Sequence, residues 1–383
     1  MEGSPREERV TPLELFFDLV FVFAITQVTS MLSDNPTWPG VGRALLVLGA
    51  LWWAWVGYAW LTNNLNPDEG AVRLAILGAM GALFVVALAV PEAFDDDGVL
   101  FGVAYLLVRE LQIVLFILAA RGDRDMLRSI FRLAVGSTIG PGLIIIAGFS
   151  DGATQAALWA IALTIDFLGG YISSGGWRVS PRHFAERHGL IVIIALGESI
   201  VAIGLGARAV PLDAGEIAAA LLGIAVVTAL WWAYFDVVAL VAERKLSELT
   251  GVAQADLARD TYSYLHLPMV AGIVLFALAL KQTLGHLGDE LHAVPAFALC
   301  IGPAMYLLAQ DAMRMRASRT YNWRRLLTVA VLVALLPIAL RAPALAALAA
   351  VTGVCWAFVA WESLRYWETR AQIRHQSQES TIG

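Results

Sequence analysis

Glu186-Arg187-His188-Gly189-Leu190-Ile191-Val192-Ile193-Ile194-Ala195-Leu196-Gly197-Glu198-Ser199-Ile200-Val201-Ala202-Ile203-Gly204-Leu205-Gly206 is apolar over a length that crosses a bilayer, yet it carries Glu198 near its middle. A charge at that depth costs roughly 2.5–3.5 kcal/mol on insertion scales, so such a residue turns toward protein and marks a functional position. About 20 consecutive apolar residues make one transmembrane helix. The stretch therefore sets the class of the chain: helical and membrane-spanning, with an inward-facing acid.

Composition agrees. Of the 383 residues, 59% are hydrophobic and 15% charged, against about 25% charged in soluble domains. Mean hydropathy is +0.70. The runs are helix-length and do not alternate as barrel strands do. Twelve spans follow, at about 12–32, 42–61, 73–94, 98–120, 129–149, 153–173, 188–207, 214–241, 261–281, 293–312, 324–341 and 343–366. The expected fold is an all-α polytopic membrane protein. The net charge of -6 carries no information about partners when lipid covers most of the surface. No nucleic-acid partner is expected. Cys300 and Cys355 lie inside apolar runs and build neither a disulfide framework nor a metal site.

The basic residues predict the orientation. Nearly all of the 26 Lys and Arg fall at one set of alternate loops, from Arg6 and Arg9 through Arg121–Arg132, Arg178–Arg187 and Arg314–Arg325 to Arg374. The opposite side keeps Arg43, Arg208, Lys281 and Arg341, and Arg109 lies inside a span. By the positive-inside rule both termini are cytoplasmic. The polar Met1–Val10 segment, followed by a full-length apolar run with two acids, does not read as a cleavable signal. Asp95-Asp96-Asp97 reads as a solvated outer turn.

A faint internal repeat divides the chain. Leu51-Trp52-Trp53-Ala54-Trp55 matches Leu230-Trp231-Trp232-Ala233-Tyr234, and Tyr105-Leu106-Leu107-Val108-Arg109-Glu110 echoes Tyr306-Leu307-Leu308-Ala309-Gln310-Asp311. At one common offset Pro141 matches Pro337 and Asp166 matches Glu362. The expectation is two parallel six-helix repeats, residues 1–177 and residues 178–383, the second ending in a short cytoplasmic tail.

The candidate site residues are the charges inside spans. Glu14 and Asp18 are spaced i, i+4 and share one helix face. Their repulsion calls for a cation, a proton or an arginine between them; alternatively Glu14 sits in the headgroup layer at a favourable helix N-terminus. Arg109 and Glu110 are adjacent, face different ways, and need partners on other helices. A carboxylate from span 1 or span 7 is expected for Arg109, either in a pathway or as a buried pair that fixes packing. Asp166, Glu198, Asp236 and His266 complete the set. Asp18, Glu110, Asp166, Glu198 and Asp236 outnumber Arg109, so protons, cations or water are needed to balance them. His266 is of the residue type that can titrate near neutrality; alternatively it caps a helix start before Pro268. Gly197, Gly204 and Gly206 would allow close helix approach or a break beside Glu198, and Thr138-Ile139-Gly140-Pro141-Gly142 would open span 5. Trp52, Trp53, Trp55 and Trp60 read as packing or an interfacial belt.

There is no phosphate-binding Gly-rich loop with Lys, no zinc-type His/Glu spacing and no Gly-x-Ser-x-Gly elbow. Gly197-Glu198-Ser199 lacks a His base nearby in sequence. No enzymatic activity, cofactor or metal is expected.

Thr11-Pro12-Leu13-Glu14-Leu15-Phe16-Phe17-Asp18-Leu19-Val20-Phe21-Val22, and Glu186 to Leu190 with Leu196 to Ser199, resemble the two signature stretches of the bacterial low temperature requirement protein A family. The resemblance covers the whole chain and implies a multi-pass bacterial plasma-membrane protein. It brings no substrate. The polar positions it carries over are Glu14, Asp18, Glu186, Arg187, His188, Glu198 and Ser199. A fainter resemblance, to two-times-six-helix potassium channels, rests on Phe16-Phe17-Asp18, where those channels have Phe-Ser-Asp.

The expected function is a secondary-transporter-like carrier linked to a proton or monovalent cation, and to a small solute the sequence does not name. Its acidic site would comprise Asp18, Arg109, Glu110 and Glu198. A cation channel is the second reading, and a non-transporting scaffold or stress-related sensor the third.

Overall fold

The computed structural model describes residues 10–65, 67, 69–173, 176–208 and 212–365. The expected cytoplasmic N-terminal segment before residue 10 and the tail beyond residue 365 lie outside them. The described chain is helical, with one isolated bridge, Glu290 to Pro343. The helices are α1 (Pro12–Asp34), α2 (Trp38–Thr62), α3 (Gly70–Ala89), α4 (Gly98–Ala119), α5 (Arg124–Ala147), α6 (Gly152–Ile172), α7 (Pro181–Arg208), α8 (Ala214–Phe235), α9 (Val238–Ser247), α10 (Gly251–Ala258), α11 (His266–Thr283), α12 (Ala293–Ser318), α13 (Trp323–Ala334), α14 (Leu336–Ala339) and α15 (Ala344–Arg365). A six-residue π-helical turn, Arg259–Tyr264, leads into α11.

Among the described residues, 11 helical segments are long and apolar enough to cross a membrane. The span expected at 324–341 departs from this. It folds as α13 and α14, of 12 and 4 residues, with Pro337 in the first turn of α14. Proline has no N–H to continue the ladder of α13, so the helix is interrupted there.

Helix starts follow from local chemistry. Asp123 accepts from the N–H groups of Asp125 and Met126 at the start of α5, Asp213 does the same for Gly215 and Glu216 at α8, and Asn322 accepts from Arg324 N at α13. Thr11 and Glu14 form a reciprocal capping box: Thr11 N donates to Glu14 Oε2 at 2.8 Å, and Glu14 N donates to Thr11 Oγ1 at 3.3 Å.

The polarity of α1 is inverted relative to a soluble helix. Glu14, Phe17, Asp18, Phe21, Ile25 and Val28 are buried, while Leu15, Phe16 and Leu19 are exposed. Spacing of 3 and 4 residues places the acids on the protein-facing stripe and the bare hydrocarbon toward lipid.

The chain forms two compact units that interleave along the sequence. One comprises Met1–Leu32, Pro39–His188 and Leu246–Ser263; the other comprises Ser33–Trp38, Gly189–Lys245 and Tyr264–Gly383. In the first, α4 packs on α3 and α5, and α5 on α6. Its α2 is almost wholly buried. In the second, α12 packs on α11 and α13, and α15 on α8. Two backbones touch where α11 meets α12: a Cβ on Gly272 would lie 2.5 Å from Gly302 O, and one on Gly302 would lie 2.6 Å from Gly272 O. Glycine pairs of this kind are the usual means of bringing membrane helices close together.

The glycines flanking Glu198 behave differently from expectation. A Cβ on Gly197 or Gly204 would meet nothing within 4 Å, and α7 runs unbroken from Pro181 to Arg208. Only Gly206 is a close approach, with Leu284 Cβ 2.9 Å from its added carbon. Helix α5 is likewise continuous through Pro141.

Candidate functional site

The first unit gathers a buried charge cluster from α1, α2 and the start of α7. The α1 spacing sets Glu14 and Asp18 one turn apart on the inner face. Arg187 bridges them with its two terminal nitrogens: Nη1 lies 2.9 Å from Glu14 Oε1, and Nη2 lies 2.9 Å from Asp18 Oδ1. The side chains of all three are 2% exposed or less. One arginine fork thus holds two carboxylates, which is one of the alternatives the i, i+4 spacing leaves open. Trp55 Nε1 donates to Asp18 Oδ1 at 2.8 Å, and its ring lies 5.6 Å from the Arg187 guanidinium carbon. Asp18 Oδ2, also buried, accepts no hydrogen bond among the described residues.

His183, one turn before Arg187, completes the cluster. Its Nε2 lies 3.1 Å from Glu14 Oε1 and 3.2 Å from Oε2. Its Nδ1 lies 3.2 Å from Asn63 Nδ2. Asn63 Oδ1 accepts from Ser180 N at 2.9 Å, and Asn63 Nδ2 donates to Ala59 O at 3.1 Å, which fixes the orientation of the amide. Asn63 therefore donates to Nδ1, so the proton of a neutral imidazole sits on Nε2 and points at Glu14. With neutral His183 the cluster holds two carboxylates against one guanidinium.

His188, one residue on, sits among rings. Its centroid is 4.5 Å from Phe184, 5.1 Å from Trp55 and 5.1 Å from Tyr262. Trp52 Nε1 donates to Ser263 O at 2.7 Å and Trp60 Nε1 to Ser263 Oγ at 2.8 Å, tying α2 to the end of the π turn. The tryptophans of α2 thus pack, and one of them also orients an acid.

A second network of the same unit surrounds Arg109. Its partner is Asp166 of α6, at 2.7 Å, and not a carboxylate of α1 or α7 as the sequence suggested. The chain leaves α4 for α5 and α6 as consecutive packed neighbours, which brings Asp166 within reach. Arg109 also donates to Ser137 Oγ at 2.5 Å, Gln112 Oε1 at 2.9 Å and Trp53 O at 3.2 Å. Tyr105 donates to Asp166 Oδ2 at 3.3 Å. Gly57 makes room for this network: a Cβ there would lie 2.0 Å from Gln112 Nε2. A cavity of about 60 Å³ touches Arg109, Gln112, Trp53 and Trp60.

Glu110 stands apart from both networks. It is half-buried and accepts from Thr138 Oγ1 at 2.7 Å.

The second unit holds the remaining expected residues. Glu198 is 2% exposed. Ser199 is fully buried, and its hydroxyl oxygen has no hydrogen-bond partner among the described residues. Asp236 is buried at the end of α8, and His266 Nε2 lies 2.9 Å from Tyr234 Oη. His183 and Arg325 have no place among the candidates from sequence, where Arg325 counts only among the basic residues of the cytoplasmic side. Arg325 is buried and bonds Gln310 Oε1, Ala233 O at 3.1 Å and Glu362 Oε2 at 3.2 Å. Asn322 Nδ2 donates to Glu362 Oε1 at 2.5 Å. Arg187 was misread in the same way, as a cytoplasmic charge. Among the described residues, Arg109, Arg187 and Arg325 are buried beside eight buried acids, Glu14, Asp18, Asp166, Glu198, Glu216, Asp236, Asp311 and Glu362.

The fold and this inner lining of charge define a polytopic helical membrane protein in contact with a lipid bilayer. The chain matches the family described as Bacterial low temperature requirement A protein (LtrA) over residues 9–360, and it belongs to that family. It is similar to an uncharacterized protein of Rhizobium meliloti (strain 1021), at 33% identity over 378 residues, covering 92% of this chain and 90% of that one. No solved structure matches it. The two stretches that carry the resemblance are the two that meet at Glu14, Asp18 and Arg187.

Proposed function

We propose that the protein is a proton-linked secondary carrier of the bacterial plasma membrane, with the Glu14–Asp18–Arg187–His183 cluster as its proton site. One observation carries this reading: two fully buried carboxylates share one guanidinium, and Asp18 Oδ2 accepts no hydrogen bond among the described residues. An uncompensated buried charge is costly, so the cluster calls for one more positive charge. A proton on the Glu14–Asp18 pair supplies it. Adding or removing that proton changes how strongly Arg187 binds α1, and this gives a coupling between protonation and helix position. The Arg109–Asp166 network, satisfied on both carboxylate oxygens, serves packing in this reading. The protein performs no enzymatic step, and both termini are cytoplasmic.

We also infer that the chain is built of two six-helix repeats, residues 1–177 and 178–383. Arg109 and Arg325 support this. Each bonds a carbonyl of a Trp-Trp helix (Trp53 O, Ala233 O), a glutamine Oε1 (Gln112, Gln310) and a carboxylate of the matched pair Asp166 and Glu362. The arginine has changed helix: Gln310, not an arginine, stands at the position matching Arg109.

Purified protein in liposomes loaded with a pH-sensitive dye tests the carrier reading. The vesicles are given gradients of Na⁺, K⁺, amino acids and organic acids in turn. Saturable proton movement with one solute, lost in Asp18→Asn, is the expected result. Rapid unsaturable K⁺ or Na⁺ flux without proton movement would make it a channel. No flux of any kind, with Arg187→Met unable to fold, would make it a scaffold.

A further inference from the structure

The second unit contains a cleft of about 350 Å³ outside every residue assigned to the proton site. Small-molecule sites occupy roughly 300–1,000 Å³ and combine apolar walls with a few fixed polar groups. This cleft has both. Its apolar lining includes Val237, Val238 and Val241 of the α8–α9 corner and Met313 of α12. Its polar lining includes the Arg325–Glu362–Asn322 network. Its acceptors are already engaged: Glu362 Oε1 takes Asn322 Nδ2 at 2.5 Å, and Oε2 takes Arg325 Nη2 at 3.2 Å. Behind it, Asp311 Oδ1 takes Asn322 N at 2.6 Å.

Unengaged donor capacity remains: Arg325 Nε is buried with no hydrogen-bond partner among the described residues, and more lies on Arg314. Arg314 is exposed; its Nε donates to Thr320 Oγ1 at 3.2 Å, and its terminal nitrogens make no hydrogen bond among the described residues. Thr320 accepts that bond, so its own hydroxyl proton is available. Two guanidinium groups, Arg314 and Arg325, line the cleft with one carboxylate, Glu362. We propose that this cleft binds a single anionic amphiphile, its charged head at Arg314 and Thr320 and its apolar chain along the valines of α8–α9. Basic pockets between membrane helices hold anionic lipid heads by the same chemistry. A free organic carboxylate with a short chain carries it equally. The assignment concerns binding and does not rest on the carrier reading.

The test is native mass spectrometry with parallel melting curves on detergent-purified full chain. The probes are dioleoylphosphatidylglycerol, its phosphatidylcholine counterpart, octanoate and 1-octanol. One bound phosphatidylglycerol or octanoate per chain is expected, with the net-neutral counterpart about tenfold weaker. Retention of phosphatidylglycerol alone identifies a lipid as occupant, and retention of octanoate identifies a soluble acid. Arg314→Gln, on an exposed side chain, should weaken the anion about tenfold while keeping the melting midpoint. Val241→Trp should abolish it by filling the cleft, and Val241→Ala should keep it. Equal binding of the net-neutral probes, binding indifferent to both Arg314→Gln and Val241→Trp, or no binding of either anion would overturn the proposal.

Discussion

Replacing Arg187 by Met should destabilise the protein by about 3–5 kcal/mol, whereas replacing Asp18 by Asn should change its stability by less than about 1 kcal/mol. The asymmetry comes from what each substitution leaves behind. Arg187 contacts both Glu14 and Asp18 at 2.9 Å, and both acids are buried. Removing it leaves the singly protonated pair with a buried carboxylate and no cation. Asp18→Asn replaces a carboxyl by a neutral isostere and keeps Glu14 and Arg187 as a one-to-one pair. Asn keeps an oxygen for Trp55 Nε1, now 2.8 Å away. Asn stands in for the protonated carboxyl, so the charge of the cluster and its bond to Arg187 change little. The two groups touch, so their effects are measured together in the double variant, which should be no less stable than Arg187→Met alone by more than about 1 kcal/mol. Unfolding in mixed micelles of a mild detergent and SDS, followed by tryptophan fluorescence, measures all three variants. Equal costs for Asp18→Asn and Arg187→Met would mean that both acids are ionised and matched by two cations, with no proton held on the pair.

Further outcomes follow from the same geometry. Gly57→Ala places a carbon 2.0 Å from Gln112 Nε2 and should cost about 1–3 kcal/mol in the same unfolding assay. Thr11→Ala opens the capping box at α1 and should cost about 0.5–2 kcal/mol, read as an earlier melting midpoint. Glu110→Gln alters a half-buried residue bonded to Thr138 and should stay within about 0.5 kcal/mol of the parent, with solute-driven proton movement unchanged. Arg325→Met leaves buried Glu362 without its cation and should cost about 3–5 kcal/mol, much of it recovered by Glu362→Gln in the same chain.

Much of this was readable in the residues. Apolar runs of helix length announced the spans, and the acids inside them announced inward faces, since lipid offers a carboxylate nothing. The spacing of Glu14 and Asp18 called for a cation between them, and Arg187 fills that place. What hydropathy could not encode is which helices are neighbours, and so Arg109 was assigned the wrong partner. Arg187 and Arg325 each lie within a few residues of a run of solvated arginines, and their burial depends on the packing of α7 and α13. A one-dimensional charge count treats them as surface. The paired signature stretches did hold the missing signal, because they place Glu14, Asp18 and Arg187 at matching polar positions. The break at Leu336-Pro337 was likewise visible as a proline, but its cost depends on whether neighbouring groups satisfy the freed carbonyls.

The Glu14–Asp18 pair beside Arg187 should hold one proton. Infrared difference spectroscopy of the purified protein across a pH step reports protonated carboxyl groups directly. The account predicts a protonated-carboxyl band that disappears in Asp18→Asn and persists in Glu110→Gln. A spectrum with no such band, or one that Asp18→Asn leaves intact, would contradict it.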